Sequence, residues 1–325
     1  MGMACVFAAS CVAPARHLDR FEYSRISMGV QARIALYAPG EAVAIAAARA
    51  AFERIDELDR ELSDYDPESE LSQLGARSGG APVAVSSDLL RVLQRAVEIS
   101  RASGGAFDVT AGPLVKVWRE ARQSGALPSP AWIEEARAHV GWEAIEIDAR
   151  LGTVRLAKAG MCLDLGGIGK GFACDEALEV LRAQGVTRCL VSLAGDIRLG
   201  APPPGRAGWD IAATSDAPAA TVDRLVLSDC AVSTSGDAEQ ALEIDGVRYS
   251  HVIDPRSGRA LTSRTRATVI ARDGATADAL ATAADVLGPE AGIELIGRIP
   301  GAEGTIETTT GSASVRRRSA GYPAS

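Results

Sequence analysis

Lysine is almost missing from this 325-residue chain, which has only Lys116, Lys158 and Lys170. Histidine is as scarce, with His17, His139 and His251. The six cysteines, Cys5, Cys11, Cys162, Cys174, Cys189 and Cys230, form no Cys-x-x-Cys pair. Together these absences exclude zinc-finger spacing and argue against a disulfide scaffold. The thiols read instead as small buried apolar groups. Positive charge is also short: 42 acidic residues face 34 basic ones, for a net charge of −8. That balance argues against a broad nucleic-acid surface. No run approaches the ~18–20 apolar residues of a transmembrane span. Aromatics are only 4%, so the core must be built from Ala, Val, Leu and Ile. A hydrophobic share of 47% and a charged share of 23% exclude a mostly disordered or fibrous chain.

What is present alternates between two periodicities. Val30, Ala32, Ile34 and Leu36 alternate with polar positions, which predicts a strand. From Glu41 to Leu62 the pattern turns helical, with Ile55, Leu58 and Leu62 on one face. Ser86-Ser87-Asp88 reads as the N-cap region of a second helix carrying Leu89, Val92, Leu93 and Ala96. Ile145, Ile147, Val154 and Leu156 flank a hairpin turn. Asp175–Gln184 reads as a third helix closed by Gly185, and Arg188–Leu199 as one strand. Thr276–Leu287 reads as a fourth helix stopped by Gly288-Pro289. Strands and helices mix without βαβα alternation, so the fold class expected is α+β.

Three segments carry chemistry. The first is Leu163-Asp164-Leu165-Gly166-Gly167-Ile168-Gly169-Lys170-Gly171, ahead of a helix. Its glycines let backbone approach a ligand, and a helix N-terminus with Lys170 beside it suits a phosphate. It is neither a P-loop, since Asp164 and Gly171 stand at required positions, nor a Rossmann fingerprint, since Phe172 replaces a glycine. The second is Asp278-x-x-x-Thr282, a carboxylate and a hydroxyl on one helix face, both hard donors suited to Mg²⁺. Asp285 competes with them nearby. A solvated helix face is the plain alternative. The third is Tyr249-Ser250-His251-Val252-Ile253-Asp254-Pro255-Arg256-Ser257-Gly258, where His251 is a structural histidine or a proton acceptor. Thr234-Ser235-Gly236-Asp237 is a hydroxyl-rich turn that could line the same cleft.

In this order, these segments resemble the ApbE family of FAD:protein FMN transferases. The resemblance spans roughly residues 21–297. It includes Ser27-Met28-Gly29, the run from Leu62 to Ser72, Gly105–Leu114, the glycine-rich loop, Thr234–Asp237, Ser250–Gly258 and Ala277–Gly288. It implies a single α+β domain, with residues 1–20 and 298–325 as extensions; the Ser-, Gly- and Ala-rich composition from Gly311, around Arg316-Arg317-Arg318, reads as a disordered tail. It implies FAD as substrate, Mg²⁺ as cofactor, and an acceptor flavoprotein carrying a Thr or Ser that receives FMN as AMP leaves. Met28, Tyr65, Ala106, Phe107, Asp108, Asp164, Lys170 and Ile253 fall on nucleotide-contacting positions. Gly167, Asp278 and Thr282 fall on metal-binding positions, and His251 is the expected base, with Lys170 and Asp278 also in the catalytic set. An FAD pyrophosphatase and a non-catalytic FAD-binding protein are the rival readings.

The chain departs from the family pattern at Ser192-Leu193-Ala194-Gly195-Asp196, where Ala194 replaces a glycine, and at Ala238-Glu239-Gln240. Residues 4–14 lack the positive flank of a signal peptide, although Ala8-Ala9-Ser10-Cys11 resembles a lipoprotein cleavage box. The unpatterned cysteines favour the cytoplasm, while family habit points to the periplasmic face of the inner membrane.

Overall fold

The computed structural model describes residues 17–213, 223–236, 241–310 and 313–323. Asp237 and Ala238-Glu239-Gln240 lie outside the described residues, as do Cys5 and Cys11.

The first two strands, Asp19–Ser27 and Val30–Ala38, pair antiparallel around Met28 and Gly29. Both turn residues have positive φ, 50° and 70°, as a tight two-residue hairpin turn demands. The pair opens an eight-stranded antiparallel sheet whose strands follow one another in chain order. After it come Cys189–Leu193, Asp196–Leu199, Ala231–Gly236, Arg264–Ala271, Glu303–Thr310 and Ala313–Arg318.

Among the described residues, seven α-helices are inserted between these strands: α1 (Glu41–Leu62), α2 (Glu70–Ala76), α3 (Ser87–Ser103), α4 (Gly112–Ser124), α5 (Pro130–Ala138), α6 (Gly169–Ala183) and α7 (Gly274–Arg298). Strand alternation decides which face each residue serves. Ile34 and Leu36 enter the main core with α1, α3, α6 and α7, whereas Ala35 points to the opposite face. There it meets Trp209, Ile211 and Leu225 of the hairpin Trp209–Ala213 and Asp223–Leu227.

On α1, Ala44, Ala47, Ala48 and Ala51 are buried in a stripe, as are Ala173 and Ala177 on α6 and Ala277, Ala281 and Ala284 on α7. Small side chains let helix axes come close, which compensates for the shortage of aromatics. The approach is tightest at Gly171 of α6 and Gly274 of α7. A Cβ on Gly171 would stand 2.1 Å from the Gly274 carbonyl oxygen. This crossing sets the glycine-rich loop against the start of α7.

Several local expectations change. Helix α6 starts at Gly169 rather than Asp175, because the glycines needed at the crossing are themselves wound into the helix. Arg188–Leu199 is a hairpin of two strands turning at Ala194-Gly195. The α7 path is broken at Gly288 (φ 76°, ψ −177°), as expected, but Pro289 opens a second helical stretch to Arg298. The tail expected from Gly311 instead supplies Ala313–Arg318, the last strand of the main sheet. Arg316 and Arg318 of that strand pair with the buried Asp223. Among the described residues, no helix is long and apolar enough to cross a membrane.

Candidate active site

The segment from Ala106 to Gly112 runs beside Cys162-Leu163-Asp164, joined by a parallel bridge at Ala111 and Cys162 and by the Asp164 N–H donating to the Val109 carbonyl at 2.7 Å. This fixes the start of the glycine-rich loop. Its end is fixed by α7. The Gly171 N–H donates to Asp278 Oδ2 at 3.1 Å, and the Gly169 N–H donates to the Leu165 carbonyl. The start of α6 therefore gives an N–H to a buried carboxylate of the protein. The cation expected to meet a phosphate is then the Lys170 ammonium.

Lys170 Nζ stands 3.2 Å from Asp196 Oδ2 and 3.7 Å from Asp278 Oδ2, and donates to the Gly166 carbonyl at 3.0 Å. Burial alone would lower its pKa, but the two carboxylates raise it above the usual lysine range. Asp278 is 4% exposed. Burial and the neighbouring Asp196 charge push its carboxyl up to about 7, with Lys170 and the Gly171 N–H opposing. One ammonium faces two buried carboxylates, so an added cation there would hold both ionised.

One α-helical turn after Asp278, Thr282 faces Gly167. A Cβ on Gly167 would fall 2.8 Å from Thr282 Oγ1 and 3.3 Å from Phe107 Cε2. The loop backbone, the hydroxyl and the Asp278 face of α7 therefore converge, and any side chain at that point would have to displace Thr282. Among the described residues, no group of three or more His, Cys, Asp or Glu side chains is arranged as a metal cage. The donor set suits Mg²⁺ nevertheless. That ion accepts one or two carboxylates, with carbonyl, hydroxyl, water and phosphate oxygens completing its shell. Asp285, one further turn along, instead accepts a 2.9 Å hydrogen bond from Ser235.

The other expected residues divide by environment. Tyr65 is 77% exposed and presents a ring at the surface. Asp164 accepts from the Gly166 N–H at 2.7 Å and pairs with Arg119. Burial raises its pKa, as does the Asp64 charge. Asp108 is buried and fully engaged within the chain, accepting from Thr110 N, Thr110 Oγ1 and Trp142 N. Its place is to hold this turn. Ala106 is buried and Met28 is half-buried at the first hairpin turn. Ile253 packs with Leu114, Val117 and Trp118 of α4.

His251 is half-buried in a segment anchored on that same helix. Tyr249 stacks on Trp118 at 5.7 Å, and the Trp118 indole N–H donates to the Gly258 carbonyl at 2.9 Å. Two site residues escaped the sequence reading, Asp196 and Arg119. Asp196 was visible only as the last residue of the Ser192–Asp196 segment, inside a run read as one strand, and nothing in the local sequence singled out Arg119.

The sequence matches the ApbE family over residues 28–306. The FAD:protein FMN transferase of Treponema pallidum is 35% identical over 303 residues, covering 87% of this chain and 83% of that protein. Its counterpart in Vibrio cholerae is 34% identical over 249 residues, 74% of this chain and 72% of that protein. The solved flavin transferase ApbE from Vibrio cholerae superposes with a TM-score of 0.85 at 29% identity, covering 94% of this chain and 98% of the other. The chain belongs to the ApbE family.

Proposed function

We propose that the protein is a Mg²⁺-dependent FAD:protein FMN transferase. The hydroxyl of a Thr or Ser on an acceptor flavoprotein attacks the FMN-side phosphorus of FAD. A new phosphoester P–O bond forms, the pyrophosphate P–O bond breaks, and AMP departs. The observation that carries this reading is the convergence of Gly167, Lys170, Asp278 and Thr282 at the crossing of α6 and α7. It is supported by relatives named for this activity.

The Gly167 carbonyl, the Asp278 carboxylate and the Thr282 hydroxyl would hold the ion. Bound there, Mg²⁺ supplies charge neutralisation on phosphate oxygens, which otherwise repel a nucleophile. Lys170 contributes from the protein itself. Its ammonium is held charged by Asp196 and Asp278 and pointed by the Gly166 carbonyl, so it meets developing negative charge without reorganising. Asp196, buried and receiving the Ser233 hydroxyl, fixes the lysine's far side. His251 is the base that takes the acceptor hydroxyl proton, a role worth roughly 10²–10⁴-fold.

The test is incubation of the protein with FAD and Mg²⁺, with and without an acceptor protein, followed by mass spectrometry and AMP quantification. An FMN adduct on the acceptor supports transfer. FMN released to water with no adduct would indicate a pyrophosphatase, and tight FAD binding without AMP would indicate a carrier. Asp278→Ala should abolish metal-dependent turnover. His251→Asn should slow transfer while FAD still binds, and an unchanged rate would remove the base assignment.

A further inference from the structure

Arg119 of α4 joins three segments that are far apart in sequence. One guanidinium nitrogen donates to Asp64 Oδ2 at 2.6 Å, and the other donates to Asp164 Oδ2 at 3.2 Å. The guanidinium carbon lies 4.3 Å from the centre of the Tyr65 ring. Asp64 and Tyr65 follow α1, whereas Asp164 begins the glycine-rich loop. A planar guanidinium can occupy two carboxylates through its edge and an aromatic ring through its face, which an ammonium cannot do together.

The consequence concerns Tyr65. Its side chain is 77% exposed, so packing against the core does not set its orientation. The arginine covers one face of the ring, and the two carboxylates fix the arginine. We propose that Arg119 is a positioning residue for nucleotide binding, holding Tyr65 as a preset stacking plate in register with the Asp164 end of the glycine-rich loop. This rests on the transferase reading, in which Tyr65 and Asp164 contact FAD. A ring already held in place loses less freedom when a flat ligand stacks on it, so the arginine acts on affinity more than on the chemical step.

Arg122, one turn further along α4, gives a matched comparison. Burial and the Arg119 charge lower its pKa, with nearby Tyr65 opposing, and it carries the same formal charge. Among the described residues it makes neither of the carboxylate contacts that fix Arg119.

The experiment measures FAD binding by flavin fluorescence, and KM and kcat for AMP release, in the wild type and in Arg119→Gln, Arg119→Lys, Arg122→Gln, Tyr65→Leu and the double variant Tyr65→Leu/Arg119→Gln. Thermal midpoints are recorded for all. Arg119→Gln should raise the Kd and KM for FAD about tenfold with kcat within about threefold of wild type, the pattern of lost uniform binding. Arg119→Lys should restore part of the affinity through charge. In the Tyr65→Leu background, Arg119→Gln should cost markedly less, because the two residues act as one unit. The inference is overturned if Arg119→Gln lowers only the thermal midpoint, if the two substitutions are fully additive, or if Arg122→Gln is equally damaging. In those cases a wild type that still cleaves FAD leaves the transferase reading standing. A wild type that binds no FAD overturns both.

Discussion

The claim that α6 and α7 assemble the site by backbone contact can be tested with three glycines of one loop. At Gly171, an added Cβ would lie 2.1 Å from the Gly274 oxygen and 2.9 Å from Asp278 Cβ. The first distance is roughly 1 Å short of tolerable contact, and the obstacle is backbone, which cannot rotate away. Gly171→Ala should therefore cost about 3 kcal/mol, the upper part of the overpacking range. In a chain of this size that is a fall of roughly 4–5 °C in thermal midpoint. At Gly167, the added methyl would meet Thr282 Oγ1 at 2.8 Å, the end of a side chain that can turn. Gly167→Ala should cost about 1 kcal/mol of stability, at the low end of that range. It should nevertheless lower Mg²⁺-dependent AMP release at least about tenfold, because the turned hydroxyl leaves the proposed ligand position. At Gly169, the nearest neighbour is Leu165 Cβ at an ordinary 3.6 Å. Gly169→Ala should be neutral or stabilising by up to about 1 kcal/mol through helix propensity. Differential scanning fluorimetry, urea unfolding and AMP release on all three give the ranking. Equal stability of Gly171→Ala and Gly169→Ala would refute the close crossing. Full activity of Gly167→Ala would remove Thr282 from the metal site.

Three further outcomes follow from other parts of the molecule. Ala194 turns its hairpin at φ 51°, a conformation that costs an L-residue about 1–2 kcal/mol. Ala194→Gly should gain about 0.5–1 kcal/mol in urea unfolding, after the entropy that glycine adds to the unfolded chain. Burial raises the pKa of the Asp175 carboxyl to about 6, despite two N–H donors at the start of α7 and Arg198 at 2.9 Å. The folded pKa exceeds the unfolded one, so this site's stabilisation is complete below about pH 4 and is lost as pH rises through 6. Unfolding free energies of wild type minus Asp175→Asn should fall by up to about 3 kcal/mol across that window, and a rise would contradict the burial argument. Burial pushes the Cys189 thiol up to about 12, Cys230 up to about 11 and Cys174 well above its usual value. Half-buried Cys162, with Lys116 Nζ at 3.1 Å, should be alkylated by iodoacetamide at pH 8 before those three, as read by peptide mass spectrometry.

Most of the helical scaffold was legible because its burial is periodic. The Ile55, Leu58 and Leu62 stripe of α1 and the Ser86 cap of α3 are local signals, and local physics decided them. The Asp278–Thr282 pair was legible for the same reason, being one helix turn. The start of α6 was not, because glycine normally argues against helix and only contact with Gly274 reverses that preference. Asp196 and Arg119 were hidden for a related reason. Each acts through partners that the fold brings from distant segments, Lys170 for one and Asp64 with Asp164 for the other. The last strand, Ala313–Arg318, alternates few apolar residues. It is held largely by the neighbouring strand and by Asp223, neither of which leaves a mark on its own composition.

Strand order along the sheet equals order of synthesis, so each new strand finds its neighbour already made. The proposed catalytic constellation does not share that early maturity. Lys170 precedes Asp278 and Thr282 by more than a hundred residues, and those two lie on the helix between the strands Arg264–Ala271 and Glu303–Thr310. A ribosome-bound intermediate would thus carry a sheet edge and a lysine facing Asp196 before the proposed ion site existed, so any metal capture there would wait for α7.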